Sequence, residues 1–376
     1  MKKIIFLTLI LLCFTTTSIL ADASISPADA PEVKSETAVL MDADSGQIIY
    51  GKNEEKTMYP ASLTKIATAI YAIENSNLDE TVTVSEKARK TDGTRVYLEP
   101  GEEVPLQKLL QGLLVNSGND AGVAIAEHME GSVSAFADSL NAFLEEEIGV
   151  VNTHFENPHG LYHEDHVTTA KDLAAITQYA MQNEHFRNIV GTKKLNWKGE
   201  SWETTIFSHH RLMREDPYDG VTGGKTGYVD ESGFTLETTA ERDHIRLIVI
   251  TMKSDSQNTA YEDTKQLLDY GFKNFESASM AKGKTYEDEG KTYTLKQPFY
   301  YTKQKKQTTS NYIKNDTLYL IDQQGNDVAS LILEPTNQEK SMPSKSIKTN
   351  THPLTWQNII FGKMMHSPFS ISHIVH

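Results

Sequence analysis

Apolar positions along this chain recur with two different periods, and the switches between them mark out its elements. In TAVLMDADSGQIIYGKN two apolar runs flank the turn formers Asp44, Ser45 and Gly46, which predicts a β-hairpin. YPASLTKIATAIYAIENS follows, with Leu63, Ile66, Ala67, Ile70 and Ile73 at helical spacing. This segment is apolar nearly all round, so the predicted helix is a buried one. QKLLQGLLVNS and DAGVAIAEHM predict two helices within residues 107–130, interrupted at Ser117-Gly118-Asn119. Helical periodicity continues near 134–147 and 170–184. Between 232 and 252, SGFTLETTA and HIRLIVITMK read as antiparallel strands joined at Glu241-Arg242-Asp243. An amphipathic helix over about 258–275 places Leu267, Leu268, Gly271 and Phe272 on one face. Strands, then helices, then strands, then a helix predict an α+β fold, a mainly antiparallel sheet with a helical region inserted between its strands. Composition shifts near 280. Short β-like runs with polar turns predict a small all-β domain over 281–336. Residues 337–350 read as a polar linker, and TWQNIIFGKMM as a short amphipathic helix.

At 376 residues the chain is long enough for one large domain and a small partner. Its net charge of −15, with no offsetting basic stretch, argues against nucleic acid as a partner. The first 23 residues stand apart: Lys2 and Lys3, the apolar run 4–14, then Ala21-Asp22-Ala23 have the layout of a secretory signal peptide. The expected location is therefore the cell envelope, at the outer face of the cytoplasmic membrane, or the medium. Cys13 lies in the apolar run and is the only cysteine. Leu12 before it is not small, which argues against lipid attachment there. Cleavage leaves no cysteine, excluding disulfides, cysteine nucleophiles and thiolate metal sites.

The stretch GVTGGKTGYVDESG, residues 220–233, invites a phosphate-loop reading. That loop needs a glycine five residues before Gly224, and the residue there is Asp219. Three other patterns carry candidate chemistry. Ser62 and Lys65 form an S-x-x-K, and residues three apart on a helix share a face, so the amine comes within reach of the hydroxyl. A serine is a weak nucleophile until a base takes its proton, and burial or a nearby cation lowers a lysine pKa into the range of a base. Taken alone the pair is equally an N-terminal serine and a solvated lysine. Ser117-Gly118-Asn119 is either a capped helix break or a turn presenting a hydroxyl and an amide to a cleft. In the second reading Ser117 relays a proton to a leaving amine, and Asn119 holds the substrate backbone and Lys65. Lys225-Thr226-Gly227, just before strand-like sequence, is either a glycine-rich hairpin or a sheet edge. At an edge, Lys225 offers a charge to a carboxylate, Thr226 a hydroxyl, and Gly227 room for a substrate backbone.

In this order, S-x-x-K, S-x-N and K-T-G are the set found in penicillin-binding proteins and class A β-lactamases. The chain resembles the D-alanyl-D-alanine carboxypeptidases, the low-molecular-mass penicillin-binding proteins of the serine peptidase S11 type. The resemblance runs from about 35 to 275 and includes YPASLTKIATA, LLVNSGNDAGVAIAEH, HFENPHGL, HVTTAKDLA, GGKTGY and LLDYGF. It implies a serine β-lactamase/DD-peptidase-like fold over 35–276 and removal of the terminal D-alanine from peptidoglycan stem peptides ending in D-Ala-D-Ala. It implies Ser62 as nucleophile and Lys65 as base. The backbone N–H groups of Ser62 and Tyr228 form the oxyanion hole, Ser117 and Lys65 are donors to the departing D-alanine, and Lys225 and Thr226 bind its carboxylate. Neither metal nor organic cofactor is implied, and β-lactams are expected to acylate Ser62. In this family a tail such as 337–376 often rests on the membrane surface. Trp356, Ile359, Ile360, Phe361, Lys363 and Met364 suit that role.

Three competing readings remain. THFENPHGLYHEDH gathers His154, His159, His163 and His166 with Glu164 and Asp165, yet at no recognisable zinc spacing, and His159 suits the edge of an active site. A class A β-lactamase carries E-x-x-L-N, whereas Leu140-Asn141 and Leu195-Asn196 here are preceded by Ala137 and Thr192. The S-G-N in place of S-D-N also favours the carboxypeptidase. A non-catalytic wall-binding protein is the third reading, disfavoured by the intact motifs. SHHRLM stands where the family often has N-x-N-x-L, which bears on substrate preference.

Overall fold

The computed structural model describes residues 30–336. The expected signal peptide and the tail from 337 lie outside the described residues. A five-stranded antiparallel sheet forms the centre, in the order Ile48–Lys52, Thr37–Asp42, Ile245–Ser254, Gly233–Arg242, Val221–Val229. The predicted hairpin closes through Asp42 N to Gln47 O at 3.0 Å, with Gly46 at φ +73°. The later hairpin turns one step beyond the expected place. Arg242 still pairs with Ile245, so the turn is Asp243-His244, with Asp243 at φ +50°. The K-T-G lies on the edge strand Val221–Val229, the second of its two readings.

The strands at the centre of the sheet are apolar on both faces because both faces are covered. Val39, Met41, Ile248 and Ile250 pack under the inserted helices, and Leu40, Leu247 and Val249 under the helix Gln257–Asn274. The S-x-x-K segment becomes a 3₁₀ turn, Ala61–Leu63, continuing into the buried helix Thr64–Asn75. After the short helix Glu86–Arg89, the two helices expected within 107–130 are Leu106–Val115 and Asn119–Glu130, with Ser117 at φ +60° in the break. The periodicity at 134–147 resolves into an α-helix to Phe143 and one wide turn over Leu144–Ile148 that Gly149 ends at φ +81°. That at 170–184 ends at Ala180, and a separate helix Glu184–Val190 starts where the Asn183 side chain accepts from His185 N and Phe186 N.

Two antiparallel strand pairs lie beyond the expected elements, Thr81–Thr83 with Glu103–Pro105 and the hairpin of Lys194–Lys198 with Glu203–Phe207. The C-terminal described region is all β, beginning at Phe275 directly after the helix, and it has a core of Met280, Tyr293, Leu295, Tyr301, Leu318, Leu320, Val328 and Leu333. It is tied to the sheet by the buried Asp42, whose carboxylate accepts from Ser277 and Thr302, each at 2.8 Å. Among the described residues no helix is long and apolar enough to cross a membrane.

Candidate active site

The turn carrying Ser62, the candidate nucleophile, is assembled from three directions. Ala61, immediately before Ser62, adopts φ +49°, an uncommon conformation for a residue with a Cβ, and the surroundings hold it there. Thr235 Oγ1 donates to Pro60 O at 3.0 Å from the neighbouring strand. Gly160 approaches from the loop after Asn157: a Cβ on it would sit 1.9 Å from Ala61 O, so only glycine fits. Below the turn, His166 is buried and stacks on Phe155. Its Nδ1 accepts from Glu156 N at 3.0 Å, which leaves Nε2 to donate to Thr64 Oγ1 at 2.7 Å. Thr64 in turn donates to Ala61 O at 2.9 Å.

Lys65 projects from the first turn of the helix with no exposed surface. Its Nζ lies 2.7 Å from Ser62 Oγ, 2.7 Å from Asn119 Oδ1, 3.0 Å from His159 O and 3.3 Å from Ser117 Oγ. Burial, reinforced by the charge on Lys225, holds its pKa well below that of a free lysine. The proton count then matters. A neutral amine has two N–H groups and one lone pair. Asn119 Oδ1 and His159 O can only accept, so they take the two N–H groups. The lone pair is left facing the two serine hydroxyls, with Ser62 the nearer.

The helix break at Ser117-Gly118-Asn119 presents side chains to the cleft and is itself braced. Asn119 N donates to Thr94 O at 2.7 Å and its Nδ2 to Asp92 O at 2.7 Å, which fixes the amide with Oδ1 toward Lys65. Asp120, fully buried, accepts from Val96 N, Leu98 N and Ala121 N and so holds the 94–98 loop against the helix start. Across the cleft Lys225 Nζ reaches Ser117 Oγ at 3.0 Å. The Ser117 hydroxyl therefore bridges the two lysines. Gly227 brings the edge strand close, since a Cβ there would lie 2.8 Å from Ser62 N.

The cleft so formed holds about 300 Å³ and is lined by Ser62, Ser117, Thr226, Gly227, Tyr228 and Tyr261 among others. All eight residues singled out from the sequence thus lie in or directly against one site. His159 contributes through its carbonyl, and its buried ring has its pKa lowered to about 3 by burial and by Lys65. The expected rivals find other work. Asn141 exchanges hydrogen bonds with the Phe155 backbone, and no lining residue of the cleft is a carboxylate. Of the histidine-rich loop, Glu156, His163 and Asp165 converge at the surface with ligand atoms within 4.8 Å, while His159 and His166 are buried elsewhere. Sequence reasoning missed the bracing roles of His166, Gly160 and Asp120, which depend on contacts that only the fold creates.

The profile described as D-alanyl-D-alanine carboxypeptidase, peptidase S11, matches residues 24–256. The chain belongs to that family. Among its relatives is the D-alanyl-D-alanine carboxypeptidase DacF of Bacillus subtilis, 32% identical over 262 residues, covering 67% of this chain and 65% of that one. DacA of Escherichia coli K12 is 30% identical over 280 residues, covering 69% of this chain and 66% of that one. The matches thus span just under two thirds of those relatives' own length. Penicillin-binding protein 5 of Haemophilus influenzae superposes with a TM-score of 0.74 at 25% identity, over 84% of this chain and 99% of that one. That agreement extends the likeness beyond the S11 region into the C-terminal strands.

Proposed function

We propose that this chain is a serine D-Ala-D-Ala carboxypeptidase that removes the terminal D-alanine from peptidoglycan stem peptides through an acyl-enzyme, and that β-lactams acylate the same serine. The observation that carries this reading is the environment of Lys65, a buried amine within 2.7–3.0 Å of Asn119 Oδ1, His159 O and Ser62 Oγ; once neutral, it gives its two N–H groups to the first two and turns its lone pair to the serine. Ser62 Oγ attacks the carbonyl between the two D-alanines while its proton passes to Lys65. The oxyanion forms between the N–H groups of Ser62 and Tyr228, each such donor contributing about 3 kcal/mol. As the tetrahedral intermediate collapses, the C–N bond breaks, and the proton travels from Lys65 through Ser117 to the departing amine. Lys225 and Thr226 hold the carboxylate of that D-alanine. Water then attacks the Ser62 ester, with Lys65 again accepting the proton.

Family membership, the three motifs in one cleft and the close approach of Gly227 to Ser62 N support these roles. The β-lactamase alternative lacks a carboxylate at the cleft to activate water against the ester. The signal-peptide layout of the first 23 residues supports export to the envelope, and the apolar positions of 356–364 are what support surface attachment through the tail. The separate core of the C-terminal strands supports a small β domain much as read over 281–336, with the strand Phe275–Met280 before that boundary also part of it. The test is release of D-alanine from a peptide ending in D-Ala-D-Ala by the chain and by its Ser62→Ala variant. Release by the first alone, with a penicillin adduct on the first alone, is expected. An adduct on the variant overturns the assignment of Ser62.

A further inference from the structure

The edge strand and its neighbour pair Lys225 directly with Glu237, and directly opposed residues project from the same face of a sheet. Their Cβ atoms are then about 5 Å apart. Glu237 is as buried as the lysine, at 1% exposure against 2%, and lies in a row that continues through Ile250 to Val39. Its Oε1 is buried with no hydrogen-bond partner among the described residues. A carboxylate in that position is costly unless a charge offsets it. Lys225 has the complementary problem. Its Nζ hydrogen bonds go to the Ser117 hydroxyl and the Thr226 carbonyl, neither of which carries a charge, and Lys65 is a second amine bridged to it by Ser117.

We infer that Glu237 is a positioning residue that keeps the carboxylate-binding Lys225 protonated inside the cleft wall. The inference rests on the function proposed above only in that Lys225 meets a substrate carboxylate. Burial alone favours neutrality in each group, lowering the pKa of Lys225 and raising that of Glu237. Each also stabilises the charged form of the other, so the pair gains or loses charge together. The remaining titratable groups near them do not supply an anion of comparable reach. Lys65 faces Lys225 from the helix with Asp120 behind it. His209 lies beside Lys225 with Arg214 beyond, its pKa lowered to about 4. His210 packs over Gly224 on the reverse face, its pKa lowered to about 3. Val190, beside Gly223, and Ile250 are apolar. The arrangement makes Glu237 the counter-charge for the anchor while keeping it out of the cleft, where a second carboxylate would repel the substrate.

The test compares Glu237→Gln, Glu237→Asp and Glu237→Leu with the unaltered chain in two readouts. The first is the Lys225 ammonium titration by side-chain NMR, assigned by its loss in Lys225→Met. In Glu237→Gln the midpoint should fall by about one pH unit or more. The second is D-alanine release against pH. KM should rise about tenfold above the lowered midpoint while kcat changes less. Glu237→Asp should restore part of both. Glu237→Leu removes the buried unpaired oxygen, so it folds at least as well and separates lost charge from lost stability. A Lys225 midpoint that stays in place in Glu237→Gln and Glu237→Leu overturns the inference, as does an unchanged KM and pH profile. If the unaltered chain releases no D-alanine but the midpoint still falls, the charge pairing holds and the proposed reaction fails.

Discussion

Gly160 offers a sharp test of how the nucleophile is held. An alanine Cβ at this position would meet Ala61 O at 1.9 Å and Ala61 C at 2.3 Å, and the backbone there has φ +86°. Ordinary contact needs about 3.5 Å, so well over 1 Å of movement is required. Two costs therefore add. The left-handed conformation costs a non-glycine residue about 1–2 kcal/mol wherever it occurs. The clash falls on backbone that cannot rotate away, on a turn already held at φ +49°. Relief must move the Ala61-Ser62 backbone or the 157–160 loop. The first displaces the serine; the second breaks the 3.0 Å contact from Lys65 to His159 O. A displacement of about 1 Å at reacting atoms costs about 100-fold in rate. Gly160→Ala should therefore be acylated by a fluorescent penicillin about 100-fold more slowly. Gly283→Ala is the control, because Gly283 has φ +85° with nothing within 4 Å. It carries the conformational cost without the clash and should react at the unaltered rate. If Gly160→Ala keeps both the acylation rate and the melting temperature, the close approach does not constrain the serine.

Two further predictions concern protons. Lys65 is depressed first by burial and then by the charge on Lys225, so Lys225→Gln should raise its pKa. In the proposed mechanism acylation uses the neutral amine, so it should be lost as pH falls through that pKa. The acid limb of penicillin acylation should thus move to higher pH, and a limb that stays put or moves down refutes the coupling. His159, His166 and His210 are buried with pKa values lowered to about 3, against 6.5 in an unfolded chain. Between those values the unfolded chain binds more protons, so stability falls as pH falls, by up to about 1.4 kcal/mol per pH unit for each histidine. Denaturant unfolding at pH 7 and 5 measures this; His166→Gln should flatten the slope, and an unchanged slope counts against His166 as a contributor.

Elements whose periodicity is local were legible in the sequence: the hairpin around Gly46, the buried helix after Pro60 and the strands flanking Asp243 appear where apolar spacing placed them. The three motifs were legible as well, because each is short and its residues act at fixed offsets. What escaped was long-range. Nothing local to Gly160 says that its neighbour in space is Ala61, and nothing local to His166 says that it carries Thr64. Lys194–Lys198 alternates polar and apolar weakly, yet Trp197 is 1% exposed, packed beside Gly112 of a distant helix. Glu237 was the most available of these. It is the one charged residue in FTLETTA, on a strand covered on both faces, and only the strand register reveals that it faces Lys225.

The wall-binding alternative can be weighed on energetic grounds. Burying an amine costs stability, and burying it beside a second cation costs more. A protein that only bound its ligand would lose nothing by filling the Lys65 position with an apolar side chain, since replacing buried charged groups in this way is often neutral or stabilising. Here the opposite has been built. Asn119 is oriented by Asp92 O so that its oxygen meets Lys65, and the His159 carbonyl is delivered by a loop that only a glycine at 160 lets approach. Both contacts are made to Lys65 itself and turn its lone pair, when neutral, toward Ser62. The cost is concentrated on the two groups that would exchange a proton, which is where a nucleophilic mechanism needs it and where binding alone does not.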